Sequence, residues 1–307
     1  MLAVTNRGTP LIEPSFAVVG IVPGSGGAAL LECLGFAAVT SGSFDAEAAA
    51  ALFGLSAPTA FQVMRVPGAR SPGYLLVVAT PSAGRARRGT QTGPLGLNLF
   101  ARDADALARV IDEMSVERTD IVRWGTRGKQ MADFRFTSDD GLDVVAIAYS
   151  DSRDGRPSLL DIAPERMTSE LTAVAWMVPD VAASRAYWEH GTGMAVVLTN
   201  EIRDPLMSAL MGVDNLPGLR YANLAAPDEA TMRLEIFELL EVATSPMPNT
   251  HALTGGLHAA GLVTHDLDAA AALLGGNRAI RTTALGRLAT GVAPDGVVWL
   301  LREIGRD

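Results

Sequence analysis

The chain has 307 residues, 48% of them hydrophobic and 19% charged, with a formal net charge of −9. Such a composition can bury a sizeable core and excludes a disordered chain, while the negative charge argues against nonspecific binding to nucleic acid or to an anionic membrane surface. A single cysteine, Cys33, rules out an internal disulfide framework, and no apolar run reaches the roughly 18 residues that a membrane-spanning helix needs.

Residues 1–13 read as a tail with Pro10 but no apolar core of secretory type, so no targeting signal is expected and the protein is taken as cytoplasmic. A strand follows in FAVVGIVPG (16–24), and GSGGAALL (24–31) opens a helix. That stretch lacks the GxGxxG spacing and has no phosphate-binding lysine, so no nucleotide site and no cofactor are expected. Cys33 falls in the helical run that follows, on its apolar side, and reads as inert. A short helix is expected near 45–54. Arg85, Arg87 and Arg88 form a basic cluster without aromatic residues, read as a solvated loop.

The next helix is RDADALARVI (102–111), with Asp103 as its N-cap, and the strand run SDDGLDVVAIAY (138–149) closes that stretch. LTAVAWMV (171–178) begins again as a strand, and Asp180 caps the Ala-rich helix DVAASRAYWEHGTG, which stops at a glycine. After a short helix near 204–212 come the strands LRYANL (219–224) and MRLEIFEL (232–239). The linker SPMPNTHALTGG precedes a last unit with the helix HDLDAAAALL (265–274), capped by Asp266, and the closing strand APDGVVWLLREI (293–304).

These pieces repeat. An offset of 158 carries ALFGL (51–55) onto ALMGV (209–213), Gly35 onto Gly193 and Leu76 onto Leu234; an offset of 163 carries RDADALARVI onto HDLDAAAALL. Internal repeats of this kind fix the architecture before any other feature. Four units therefore start near residues 15, 94, 171 and 256, each a strand, a capped helix and three short strands. The fold class expected is α+β: four βαβββ modules in two pseudo-repeated halves, residues 14–155 and 165–307, with curled mixed sheets forming cups.

Strand, Pro-Asp, amphipathic helix, Gly, then three strands ending on a DG turn resembles the vicinal oxygen chelate superfamily, which includes glyoxalase I, extradiol dioxygenases and bleomycin-resistance proteins. The resemblance spans about residues 14–304 and is closest over EIRDPLMSALMGVDNLPGLRYANLAAPDEATMRLEIFELLE (201–241). It implies that two units pair to make a cup around a small ligand. It also implies a metal held by a first-strand residue and a last-strand Glu. The counted positions are Ala17, Gly96, Ala173 and Ala259 on first strands, and Val77, Val145, Glu235 and Leu300 on last strands. Seven of these eight cannot ligate, so no metal is expected. His258 stands one residue off, on the wrong face of a regular strand unless a bulge turns it. The first half contains no histidine, and with fewer polar candidates it reads as the structural half.

Three residues are the catalytic candidates. Glu235 matches the family's ligand glutamate, and a carboxylate in an apolar cup can serve as a general base, against the plainer reading of a pair with Arg233 or Arg220. His258 suits proton transfer near neutrality, against a histidine bonded to nearby backbone. Tyr221 can orient a carbonyl or simply pack in the core. His190 and His265 read as structural, and His251 as part of a linker. Trp176, Trp188 or Trp299 would suit an aromatic ligand if turned into the cup, and Met207, Met211 and Met232 would make an adaptable wall. The leading expectation is a metal-independent isomerase or lyase acting on a hydrophobic, aromatic or polyketide-like molecule, with Glu235 as acid or base. The alternatives are a sequestering binder of bleomycin-resistance type and a metal-dependent dioxygenase or lyase with displaced ligands. The expected partner is the small molecule itself, with the protein a monomer or homodimer.

Overall fold

A computed structural model describes residues 12–69, 73–84, 89–126, 129–149, 158–226, 232–247, 252–275 and 279–305. Most of the expected tail, the Arg85, Arg87 and Arg88 cluster and His251 lie outside the described residues. Unit one comprises β1 (Ile12–Ile21), α1 (Gly26–Cys33), β2 (Ala37–Phe44), α2 (Ala46–Phe53), β3 (Thr59–Arg65) and β4 (Tyr74–Ala79). Unit two comprises β5 (Gln91–Ala101), α3 (Ala104–Glu113), β6 (Glu117–Arg118), β7 (Val122–Thr126), β8 (Lys129–Thr137) and β9 (Asp143–Tyr149). Unit three has β10 (Thr168–Met177), α4 (Val181–Thr192), β11 (Ala195–Ile202), α5 (Met207–Met211), β12 (Leu219–Ala225) and β13 (Arg233–Leu239). After the short β14 (Ser245–Pro246), unit four has β15 (Gly256–Thr264), α6 (Leu267–Leu274), β16 (Ala279–Thr283), β17 (Gly286–Val292) and β18 (Val298–Glu303). None of the described helices is long and apolar enough to cross a membrane.

In every unit the first and last strands are parallel neighbours, β1 with β4, β5 with β9, β10 with β13 and β15 with β18. A parallel pair needs a long crossover, and the helix plus two antiparallel strands supplies it. The helices start where short acceptors satisfy free backbone N–H groups: Asp103 accepts from Ala106 N at 2.9 Å, Asp266 from Ala269 N at 3.0 Å, and Asp180 from Ala182 N and Ala183 N.

The units combine in an order that crosses the two halves. Units one and four form an eight-stranded sheet joined by the antiparallel pair β1–β15, and units two and three form a ten-stranded sheet joined by β5–β10. Residues 14–155 and 165–307 therefore each lend one unit to each sheet. Helices from both sheets share one core with the outer sheet faces, including Val19, Leu97, Val174 and Leu262.

Tight turns lock the sheets together. Ser25 gives α1 no side-chain cap; instead Asp139 of unit two accepts from Gly26 N at 2.9 Å, and Asp140 accepts from Ser25 Oγ at 2.6 Å and Val22 N at 3.3 Å. Asp295 of unit four does the equivalent work on α4, accepting from Ser184 Oγ at 2.6 Å and Trp188 Nε1 at 2.9 Å. Asp140 is fully buried, so its loss strands several donors. Asp140→Ala is expected to cost about 2–3 kcal/mol in urea unfolding; an unchanged midpoint would show that the turn does not hold α1.

The cup of the first sheet is full. Phe16, Phe44, Phe53, Phe61, Leu76 and Leu300 pack inside it, with ring centroids of Phe44 5.1 Å from Phe53 and 4.7 Å from Phe61. One register detail differs from the sequence count. Phe16, Val18, Leu76 and Val78 face this cup, whereas Ala17 and Val77 face the helices, because the strand parity is one residue off. Both sets are apolar. Cys33 also differs: it is exposed, on the outer side of α1 rather than its apolar side.

Candidate functional site

The cup of the second sheet, between units two and three, is hollow. It holds a cavity with Trp124, Met207, Met211, Leu219 and Phe237 among its apolar walls. Alternation along the strands selects what faces it. On β13, Leu234 and Ile236 go to the core while Glu235 and Phe237 face the cavity. On β8, Phe134 and Phe136 go to the core while Met131, Asp133 and Arg135 face it. On β12, Ala222 and Leu224 go inward to the core, leaving Tyr221 and Asn223 in the cup. Asn98 joins them from β5, where the pairing with β10 skips Leu95 and so puts Leu95 and Asn98 on the same side. Gly96 permits this bend: its φ is 155°, and a side chain there would start 2.8 Å from the Asp143 carbonyl oxygen.

These groups form a compact polar floor under an aromatic wall. Asn98 Nδ2 donates to Glu235 Oε2 at 2.6 Å, and Trp124 Nε1 donates to Asp133 Oδ2 at 2.8 Å. Asn223 sits directly opposite Glu235, and Tyr221 opposite Phe237, with which it stacks at 5.6 Å. Glu235 is 6% exposed and Asp133 4%. Burial pushes the Asp133 carboxyl up to about 7, with the neighbouring Glu235 charge adding to the rise and the Trp124 N–H opposing it. Asp133 Oδ1, Asn98 Oδ1, Asn223 Oδ1 and Arg135 Nη1 are buried without a hydrogen-bond partner. An unsatisfied buried polar atom costs about 1–3 kcal/mol, so four in one cavity mark a floor shaped for something other than the empty protein.

The donor set does not suit the metal that the family resemblance implies. The β5 position differs from the sequence count by two residues: Asn98, not Gly96, lies beside Ala173 and Val145, and its amide already donates to Glu235, the one carboxylate among the counted positions. Among the described residues no three His, Cys, Asp or Glu side chains come together.

The three candidates separate. Glu235 and Tyr221 share the cup, and Glu235 is bonded to Asn98, while Arg220 pairs with Glu201 and Glu238 instead. His258 lies elsewhere. The β1–β15 register skips it, so a bulge does turn it, but toward Phe53 of the filled cup, 6.4 Å ring to ring, and not toward Glu235. Trp176, Trp188 and Trp299 belong to the shared core, and the tryptophan of the cup is Trp124. Met207 and Met211 line the cup and Met232 does not. His190 Nδ1 pairs with the Ala186 carbonyl at 2.7 Å and His265 Nδ1 with that of Ile304 at 3.3 Å, as expected of structural histidines. The first half is more than structural, since Asn98, Trp124, Asp133 and Arg135 all come from unit two. The alternation in QMADFRF was the available signal for Asp133.

No family model matches the chain, and no curated protein matches it. Among solved structures, glyoxalase I from Zea mays superposes with a TM-score of 0.63 at 16% identity, over 96% of this chain and 93% of that one. A Bacillus subtilis protein provisionally assigned as a dioxygenase superposes with a TM-score of 0.62 at 9% identity, over 96% of this chain and 86% of that one. Identities this low speak to the fold alone.

Proposed function

The chain has the vicinal oxygen chelate fold, and from that premise we propose that its hollow cup is the active site of a metal-independent isomerase or lyase for a hydrophobic, aromatic or polyketide-like molecule. The observation that carries this reading is the buried pair of carboxyls. Asp133 and Glu235 share one cavity, and their environments differ: Glu235 is held by an amide donor, while Asp133 keeps its proton up to about neutrality. A carboxyl that keeps its proton beside a second carboxyl gives the cup a candidate acid and a candidate base.

In this scheme Glu235 takes a proton from a carbon next to a carbonyl, leaving the electron pair on the enolate. Asp133 gives its proton to the enolate oxygen, with the unpartnered Arg135 Nη1 available to the same oxygen. Returning a proton to a different carbon completes an isomerisation; expelling a group from the adjacent carbon completes an elimination. Trp124, Tyr221 and Phe237 supply flat apolar area for an aromatic body, and Tyr221 can orient the carbonyl.

The test uses 2-tetralone, phenylpyruvate and 2-hydroxyacetophenone in D2O, followed by NMR, together with mass spectrometry of compounds that co-purify with the protein. Deuterium uptake at least tenfold above buffer is the expected result. Tight, stoichiometric release of an unchanged co-purified compound, with no uptake on it or on the three ketones, would replace the enzyme by a sequestering binder.

A further inference from the structure

We propose that the cavity at the junction of the two sheets is a second small-molecule site, suited to a neutral ligand that carries a hydrogen-bond donor beside an acceptor, as a cyclic amide does. This cavity meets the cup of the second sheet only at Leu95 among the residues lining both, and none of the carboxyl floor lines it. Its walls come from the start of β5, from Pro246 and Met247 beside it, from residues 254–258 and from the turn before β18.

Two side chains give it a chemical preference. Trp176 is 1% exposed, lines the cavity, and has a buried Nε1–H with no partner. His258 lines it too, carried there by the bulge in β15, and no side chain or backbone group among the described residues hydrogen-bonds its imidazole. Burial pushes that imidazole down to about 4, so the ring is neutral at ordinary pH and offers one acceptor nitrogen. One donor and one acceptor, both unused, thus belong to side chains that line one space.

The remaining wall favours a neutral occupant. Asp143 is the charged residue among the described residues that line it, and that carboxylate is already engaged by the Thr137 hydroxyl, with Arg135 3.9 Å away. Glycines 93, 96, 141, 255 and 296 contribute backbone in place of side chains. Among the described residues no lysine or arginine lines it to neutralise an anion.

The probe is 2-quinolinone, titrated into protein labelled with [15N]histidine and [15N]tryptophan. Four histidines and four tryptophans make the spectra assignable with His258→Gln and Trp176→Phe. Saturable shifts of the His258 ring and the Trp176 indole are expected, with Trp124 unmoved and with at least tenfold weaker binding of 1-methyl-2-quinolinone, which lacks the N–H. His258→Gln, checked for an unchanged melting temperature, is expected to weaken binding at least fivefold even should Trp176→Phe fail to fold. Equal binding of the N-methyl compound, shifts confined to Trp124, or no saturation up to the solubility limit would each overturn the assignment. Because Glu235→Gln leaves this cavity untouched, quinolinone binding in that variant is expected to match wild type.

Discussion

Glu235→Gln is expected to lower kcat about 10²–10⁴-fold on any carbon acid that supports turnover, the usual contribution of a positioned general base. The substitution is nearly isosteric, and a glutamine oxygen can still accept from Asn98 Nδ2, so the fold and the ligand's affinity should hold. Loss of kcat with little change in KM would place the effect in the proton transfer. Asp133→Asn should behave differently. Its amide oxygen can still accept from Trp124 Nε1, but the proton that Asp133 holds up to about pH 7 is gone. In wild type kcat/KM should therefore fall as pH rises past about 7, and in the Asn variant that alkaline limb should vanish along with most of the activity. A Gln variant within threefold of wild type would remove Glu235 from the chemistry, and an alkaline limb that survives Asp133→Asn would assign it to another group.

How far the sequence revealed this site can be traced residue by residue. The four units were legible because each announces itself locally, by an Asp cap such as Asp103 or Asp266 and by a glycine stop. Glu235 was legible because, of the two carboxylates in RLEIFEL, it is the one flanked by Leu234 and Ile236 and placed where the resemblance puts a last-strand glutamate. The pairing of unit one with unit four was not. It runs through β1 and β15, strands apolar on both faces, which carry no local signal of which neighbour they join. Asp133 escaped for a related reason. In QMADFRF it reads as the solvated face of an outer strand, and only β7, folding Trp124 over it, turns that face into a cavity floor. Asn98 owes its position to a skipped residue in the β5–β10 register, and such a shift leaves no mark in an uncharged stretch. The bulge at His258 could be anticipated; which cavity it served could not, because that depended on the same long-range pairing.

Two buried groups in separate cavities are expected to hide each other's effect on stability. Asp133 has a folded-state pKa of about 7 against 3.8 ordinarily, so its contribution is fully present below about pH 3.8 and is lost as pH rises through 7. His258 has a folded-state pKa of about 4 against 6.5, the opposite case: its contribution is present above 6.5 and is lost as pH falls toward 4. At roughly 1.4 kcal/mol for each tenfold change in proton affinity, the first is worth at most about 4 kcal/mol, the second about 3 kcal/mol less a discount for the partly exposed ring. Across the shared window, about pH 4 to 6.5, the slopes have opposite signs and similar size. Asp133→Asn should therefore uncover an acid-side loss, with stability falling by about 2–3 kcal/mol between pH 6.5 and 4 relative to wild type, while at pH 8 the same variant should be the more stable of the two. His258→Gln should uncover the reverse slope, and with the two effects additive the double variant should again be flat relative to wild type. Urea unfolding of all four proteins at pH 4.5, 5.5, 6.5 and 8 measures this. Parallel curves for Asp133→Asn and wild type would mean that Asp133 is ionised in the folded protein throughout, and the division of acid from base in the cup would fall with it.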